Sequence, residues 1–515
     1  MAVAQKLSSH WFPLFLGVVG VVYVLGCLDL VNVEIDDVFI TLRYSHNLLA
    51  GDGPVFNPGE RIEGYSNPTW LFLVNAVSAV TGLTGHLALF YLAKVLCMVF
   101  GLANLVVLYR LAKLHDNSTA VVALLVLVAA ASPFLNVYNI SGMETSLVAF
   151  LLTVSVLLYS LWRTHRTPGY AVGFAVTIGL LSISRPEAIM YPVAIYAGIF
   201  AIGARRKDER LPFTAMTVAI VVAIVVAFIA FRFSYYGELL PNSLFAKNNP
   251  SLSAVKEGAR YVALFGAMTL GPYVLLALLK RSPLLLREHL PVYLVIVAQL
   301  AFAVYAGGDW MPAFRLALPV LPILLFVLVD QVDLGTLLDQ KLVATLTVLA
   351  VVVGCSWVLQ RYYVKSYKPL RSGWHLEFQP YNADYYDIAR KLGDLASPGQ
   401  TVLLGEAGVI PYLNDGLRFT DLYGLMDKHI ARDVPGKHFA RVDNGYLLSR
   451  NFDFVVAVIL RNKRPAEVDG KYDTGFVALD ALLNDPRFKS DYLPVYHEKR
   501  GIIFKRTAAA ERLAG

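Results

Sequence analysis

The first 360 residues or so of this chain are a succession of apolar runs, each roughly 16–25 residues long, separated by short polar pieces. An α-helix needs about 20 apolar residues to cross roughly 30 Å of hydrocarbon. Inside a bilayer, backbone polar groups must be satisfied within the helix itself. Only 16% of the residues are charged, against about 25% in soluble proteins. The shortfall lies in these runs, and dense charge returns only in roughly the last 150 residues. The sequence therefore predicts a mainly α polytopic membrane body over residues 1–363 and a soluble α/β domain over 364–515. Trp11–Leu30 has about the length of a full span with no A-x-A-type cleavage site after it, so it is read as a retained first helix. The net charge of +7 sits mostly at helix ends, where topology needs it, so it says little about nucleic acid, and no nucleic-acid partner is expected. Cys27, Cys97 and Cys355 lie in apolar runs and form neither a disulfide framework nor a zinc motif.

Candidate spans are 11–30, 88–109, 118–133, 145–162, 169–184, 188–203, 212–233, 258–279, 290–306, 313–329 and 342–360. The segments between them alternate in character. One set is short and basic: Lys6, Arg110/Lys113, Arg163/Arg166, Arg205/Arg206/Lys207, Lys280/Arg281/Arg287 and Lys341. The other, at 31–87, 134–144, 184–187, 234–257 and 307–312, is longer or richer in Pro, Gly, Asn and acid. The positive-inside rule places the basic set and the N-terminus in the cytoplasm, and the acidic set and the tail outside. Trp70–Leu83 is too short to span and would invert this order if counted, so it is expected to lie at the outer surface. About eleven spans in a bacterial inner membrane follow. In the tail, Thr401–Leu404, Phe454–Leu460 and Gly501–Lys505 read as strands, and Tyr385–Leu395 and Val477–Leu483 as helices.

This topology gathers the unusual polar residues on one face. The first outer loop opens with Asp36-Asp37, continues through a helical pattern carrying Arg43 that ends at Gly51, and reaches Glu63, Tyr65 and Asn67. Further along come Glu144, Arg185 with Glu187, Asn242 leading to Lys247, and Asp309-Trp310 leading to Arg315. Each has a plain explanation, such as an N-cap for Asp36 or Asp37 or a snorkelling cation. Together they describe a polar cavity at the membrane lip, where acids are costly and usually functional. Carboxylates with scattered Arg and Lys suit sugar transfer from a lipid phosphate: cations hold the phosphate as it leaves, and one carboxylate takes the acceptor's proton. Phosphate leaves without a general acid, unlike the two-carboxylate hydrolysis of glycosides. A polytopic transporter or flippase would favour ionisable residues near mid-membrane and paired repeats, and neither is found. An O-antigen ligase or polymerase would carry its long loop late in the chain.

Asp36-Asp37-Val-Phe-Ile-Thr-Leu-Arg43-Tyr44 followed by Asn57-Pro-Gly-Glu-Arg-Ile-Glu63-Gly-Tyr65-Ser-Asn67-Pro68 resembles the signature of GT-C-fold arabinofuranosyltransferases. These include the mycobacterial terminal β-(1→2)-arabinofuranosyltransferases and pilin arabinosyltransferases. Ser141–Thr145, Arg185–Glu187, Pro241–Ser243, Gly307–Arg315 and, in the tail, Asp421–Arg432 are similar to further blocks of that family. The resemblance implies a polyprenyl-phosphate arabinose donor, a glycan or glycoprotein acceptor, contact with membrane lipid, and inversion with Asp36 or Asp37 as general base. Asp36 is expected to be the base, with Asp37 capping the helix or orienting Arg43. Arg43, Arg185, Lys247 and Arg315 are expected to hold the donor phosphate. Asp36, Asp37 and Glu144 could ligate a divalent cation, although no cofactor is required.

Overall fold

The computed structural model describes residues 2–203, 207–247, 251–269, 287–330, 350–364, 383–459 and 467–507, apart from 352, 469 and 499. The chain does not divide at a single cut after residue 363. It forms two compact units, each assembled from three stretches. One takes Met1–Val33, Ala93–Phe228 and Pro250–Phe378; the other takes Glu34–Leu92, Ile229–Asn249 and Gln379–Gly515.

Most of the apolar helices fall in the first unit, and His86–Leu114 and Pro212–Tyr236 run from one unit into the other. Among the described residues, His86–Leu114, Thr145–His165 and Pro212–Tyr236 are long and apolar enough to cross a membrane. Leu14–Leu28, Pro168–Ser182, Pro186–Ile202, Leu290–Tyr305 and Leu318–Val329 are shorter apolar helices at expected spans. One expected span ends in a bend and another is interrupted. At 118–133 the helix Thr119–Ala131 stops where Ser132 caps the next helix through the Leu135 amide, and Pro133–Asn139 leaves at 59°. Proline at a first helical position fits a new start and cannot extend the old helix. At 313–329, Ala313 and Phe314 adopt left-handed φ values of 55° and 56°, and helix resumes only at Leu318. Parts of the expected spans 258–279 and 342–360, with Arg205, Arg206, Lys280, Arg281 and Lys341, lie outside the described residues.

The second unit is held together by polar side chains of the first loop. Helix Asp37–Ala50 ends on Gly51 at φ 94°, whose amide turns back to the Asn47 and Leu48 carbonyls, a left-handed cap that glycine adopts without a Cβ penalty. Pro68–Thr81 forms a 14-residue helix, shorter than a span requires. The tail supplies a five-stranded sheet and a two-stranded hairpin: β1 (Thr401–Leu404), β2 (Arg418–Asp421), β3 (Phe454–Val458), β4 (Glu467–Val468), β5 (Lys471–Tyr472), β6 (Tyr492–Glu498) and β7 (Gly501–Arg506). The sheet order is β2-β1-β3-β7-β6, with β1 parallel to β2 and β3, and β7 antiparallel to β3 and β6. Leu403, Val455 and Phe504 meet Leu479 and Leu482 in its core. Strand β2 has only four residues, and β6, though seven long, carries Pro494, so neither stands out in the sequence.

Arg43 joins loop to tail. Its Nε donates to the Phe56 carbonyl at 2.7 Å, Nη1 to the Pro411 carbonyl, and Nη2 to the Leu417 carbonyl at 3.1 Å. The guanidinium lies between the Phe56 and Phe419 rings, 4.8 and 5.0 Å from their centroids. Asn57 bonds both ways with the Phe419 backbone, at 2.7 and 3.0 Å. With every nitrogen engaged in the protein interior, Arg43 is a structural cation, and the phosphate-binding role expected of it does not fit this geometry. Lysine cannot reproduce three directed bonds. Arg43→Lys is therefore expected to cost about 3 kcal/mol or more, from buried carbonyls left unpaired, seen as a lowered Tm in detergent. An unchanged Tm with weakened binding of a polyprenyl-phosphate sugar would return Arg43 to the phosphate site.

Candidate active site

In the second unit, Asp36 occupies the N-cap position of helix Asp37–Ala50 but makes no side-chain cap bond. Its Oδ1 instead accepts from the Val409 amide at 3.0 Å, in the turn that follows β1. A Cβ at Gly408 would lie 2.1 Å from Asp36 Oδ2, so this close approach requires glycine. The strand order puts β2 on one side of β1 and β3 on the other. The crevice at the carboxyl end of such a strand is where open α/β sheets bind ligands, and here it receives a carboxylate from the first loop.

Glu406 stands in that same turn and was not recognised in the sequence. Burial pushes its carboxyl up, and the charges of Asp36 and Asp37 push further, with Arg500 opposing. Burial also raises Asp36, against the pull of the Val409 and Gly408 amides and with a further push from Asp37. Each negative charge in the cluster makes the next harder to form. The available signal was an acid between two glycines, Gly405-Glu406-Ala407-Gly408, directly after a strand. Asp421, at the end of β2, accepts from the Tyr423 amide at 2.9 Å and from the Leu425 amide. Burial nonetheless pushes it up to about 7.

Asp37 neither caps its helix nor orients Arg43; its Oδ2 lies 3.6 Å from Lys247 Nζ, whose side chain is 45% exposed. An ion pair this loose and solvated is worth under about 1 kcal/mol, which leaves the lysine able to turn to an anion. Other residues expected at the site brace the loop. Glu63 is held by Arg232 at 2.6 and 3.1 Å. The Tyr65 hydroxyl accepts from Tyr236 at 3.2 Å, and Asn67 accepts from Thr41 at 3.0 Å. Asn242 donates to the Gly424 and Leu425 carbonyls at 2.8 and 3.1 Å.

The first unit carries its own charged group. Arg185, almost fully buried, reaches Glu144 at 2.6 Å and Glu187 at 2.5 Å. Arg315 pairs with Asp309 at 2.6 Å, beside Gly307 and Gly308 at φ 81° and 79°. Trp310 in that turn is 60% exposed. Among the described residues, the groups able to bring three metal-ligating atoms together are His46/His86/Asp415 and His115/Glu288/His289. Neither group contains Asp36, Asp37 or Glu144.

Residues 68–229 match the family model described as dolichyl-phosphate-mannose-protein mannosyltransferase, and residues 374–501 match a domain of unknown function, DUF8728. The chain is 30% identical over 356 residues to the terminal β-(1→2)-arabinofuranosyltransferase of Corynebacterium glutamicum, covering 61% of this chain and 50% of that protein. It is 32% identical over 228 residues to the Mycobacterium tuberculosis enzyme of the same name, covering 41% and 34%. It thus spans half or less of the length of these curated relatives. The fold is that of ArnT from Cupriavidus metallidurans, at TM-score 0.64 and 14% identity over 98% of this chain and 99% of that one. ArnT bound to undecaprenyl phosphate matches at TM-score 0.61 and 14% identity, over 97% and 98%. The archaeal oligosaccharyltransferase AglB of Archaeoglobus fulgidus, in complex with an inhibitory peptide and a dolichol-phosphate, matches at 0.57 and 13%, over 88% and 70%. The likeness to GT-C arabinofuranosyltransferases drawn from the first-loop motif is met by these relatives.

Removing Arg185 would strand two buried carboxylates, at a cost of about 3–5 kcal/mol. Arg185→Met is expected to lower the Tm sharply, and Glu144→Gln added to it to recover part of the loss. A single variant as stable as the parent would mean that the cation is not a structural bridge.

Proposed function

We propose that this protein is a membrane glycosyltransferase that moves a sugar, arabinofuranose, from a polyprenyl-phosphate donor to a glycan or glycoprotein acceptor. The observation that carries the reading is the half-buried Asp36 carboxylate, fixed at the mouth of β1 by the Val409 amide with Glu406 and Asp37 beside it. In a direct displacement, the acceptor hydroxyl attacks the anomeric carbon and gives its proton to Asp36. The bond from that carbon to the phosphate oxygen breaks, its electron pair leaves with the polyprenyl phosphate, and the anomeric configuration inverts. A base works best with a pKa near the operating pH, and burial moves Asp36 in that direction. The Val409 amide holds Asp36 Oδ1, and the carboxylate is set against Gly408, so its position does not depend on the substrate.

Lys247, exposed and loosely tied to Asp37, supplies positive charge to the leaving phosphate in this proposal. Trp310 offers an aromatic face of the kind that stacks on sugars or sits at lipid headgroups. Support for a lipid-phosphate donor comes from the mannosyltransferase-type match over 68–229, the arabinofuranosyltransferase relatives and the ArnT fold. The basic segments face the cytoplasm of a bacterial inner membrane in this reading, and the first loop and tail face outward.

Asparagine keeps the shape of aspartate and removes its basicity. Asp36→Asn is expected to lower turnover of purified enzyme by roughly 10²–10⁴-fold while donor affinity and Tm hold. Asp37→Asn is expected to act more weakly, through Lys247 and the donor KM. Near-normal turnover in Asp36→Asn with loss in Asp37→Asn would reverse the assignment, and activity in both would discard it.

A further inference from the structure

Away from the carboxylate cluster, three side chains from distant segments of the second unit converge on one point. His46 projects from helix Asp37–Ala50, His86 stands at the start of helix His86–Leu114, and Asp415 lies in the turn before β2. His46 Nε2 is 3.1 Å and His86 Nε2 3.7 Å from the same oxygen, Asp415 Oδ2. The two imidazoles stack at 4.3 Å between centroids and 24° between planes, and the three ligand atoms lie within 4.8 Å of one another.

A hydrogen bond accounts for only half of this. The His46 contact is within hydrogen-bond range, whereas 3.7 Å is beyond it. His86 Nε2 is buried with no hydrogen-bond partner. An unpaired buried nitrogen is costly, and a cation between it and the carboxylate removes that cost. Zinc bonds of about 2.0–2.1 Å in tetrahedral geometry set ligand atoms about 3.3 Å apart. The two distances to Asp415 Oδ2, 3.1 and 3.7 Å, bracket that spacing, and all three ligand atoms lie within 4.8 Å of one another. Two imidazole nitrogens and one carboxylate oxygen suit zinc and its neighbours, not the all-oxygen preference of calcium or magnesium.

We infer that His46, His86 and Asp415 form a binding site for a zinc-class divalent ion, with a remaining position open to water. The ion ties the first-loop helix to the tail turn that also accepts Arg43 through Pro411 and Leu417. It therefore reinforces the attachment on which the placement of Asp36 depends, without touching the reaction.

The test uses full-length protein purified without a polyhistidine tag, stripped with chelator, and titrated with zinc chloride or cobalt chloride alone. Expected are about one equivalent of metal per chain by elemental analysis and visible cobalt absorption from low coordination number. At a hundredfold excess over Kd, a Tm rise of a few degrees, about 3 °C, is expected. His86→Gln and His46→Asn, each folded by size-exclusion profile, should both lose the bound equivalent. Absence of stoichiometric binding at micromolar metal would overturn the inference. So would binding that survives both variants and disappears in His289→Gln, since the ion would then belong to the His115/Glu288/His289 group.

Discussion

A carboxylate in the first loop bonded to a backbone amide in the tail organises the second unit. Asp36 and Val409 are 373 positions apart and 3.0 Å from each other. A charge-assisted bond of this kind is stronger than a neutral one, yet it does more than add stability. It fixes the direction of one acid, takes up one of its oxygens, and leaves the carboxylate only half exposed. Gly408 permits the approach, and the β2-β1-β3 order creates the crevice that receives it. Arg43, Asn57 and Asn242 fasten the loop around it with bonds to main-chain carbonyls.

The cations divide by environment. Arg43 and Arg185 are buried and saturated with partners, so their loss is a folding event before it is a catalytic one. Lys247 is exposed and lies 3.6 Å from Asp37, and its re-pairing with a phosphate costs little. An Arg in a polar motif therefore does not identify itself as a ligand by residue type. What separates the two kinds is whether its nitrogens already have acceptors.

Much of the architecture was legible because it rests on local signals. Gly51 ending the first-loop helix, β1, the helix Val477–Leu483 and the apolar helices all follow from pattern and length. The tail's docking on the first loop was not, because Arg43 and Asn57 find their acceptors through backbone carbonyls that carry no sequence identity. For the same reason Glu63, Tyr65 and Asn67 read as site residues while Arg232, Tyr236 and Thr41 hold them in the scaffold. A buried polar side chain that braces a loop and one that faces a ligand look alike in a sequence. Glu406 was missed because its meaning depends on two charges far away in the chain.

The central claim is that the half-buried Asp36 carboxylate of the first loop takes a proton during sugar transfer, and the pH dependence of kcat tests it most directly. Burial raises the Asp36 carboxyl above the ordinary aspartate range, and a base acts only when deprotonated. Turnover at saturating donor and acceptor should therefore fall as pH drops through that raised value, with the limb lying well above pH 4. Glu406→Gln should shift the limb while leaving the Tm near that of the parent. A profile flat down to about pH 5, in protein that remains folded there, would contradict the account.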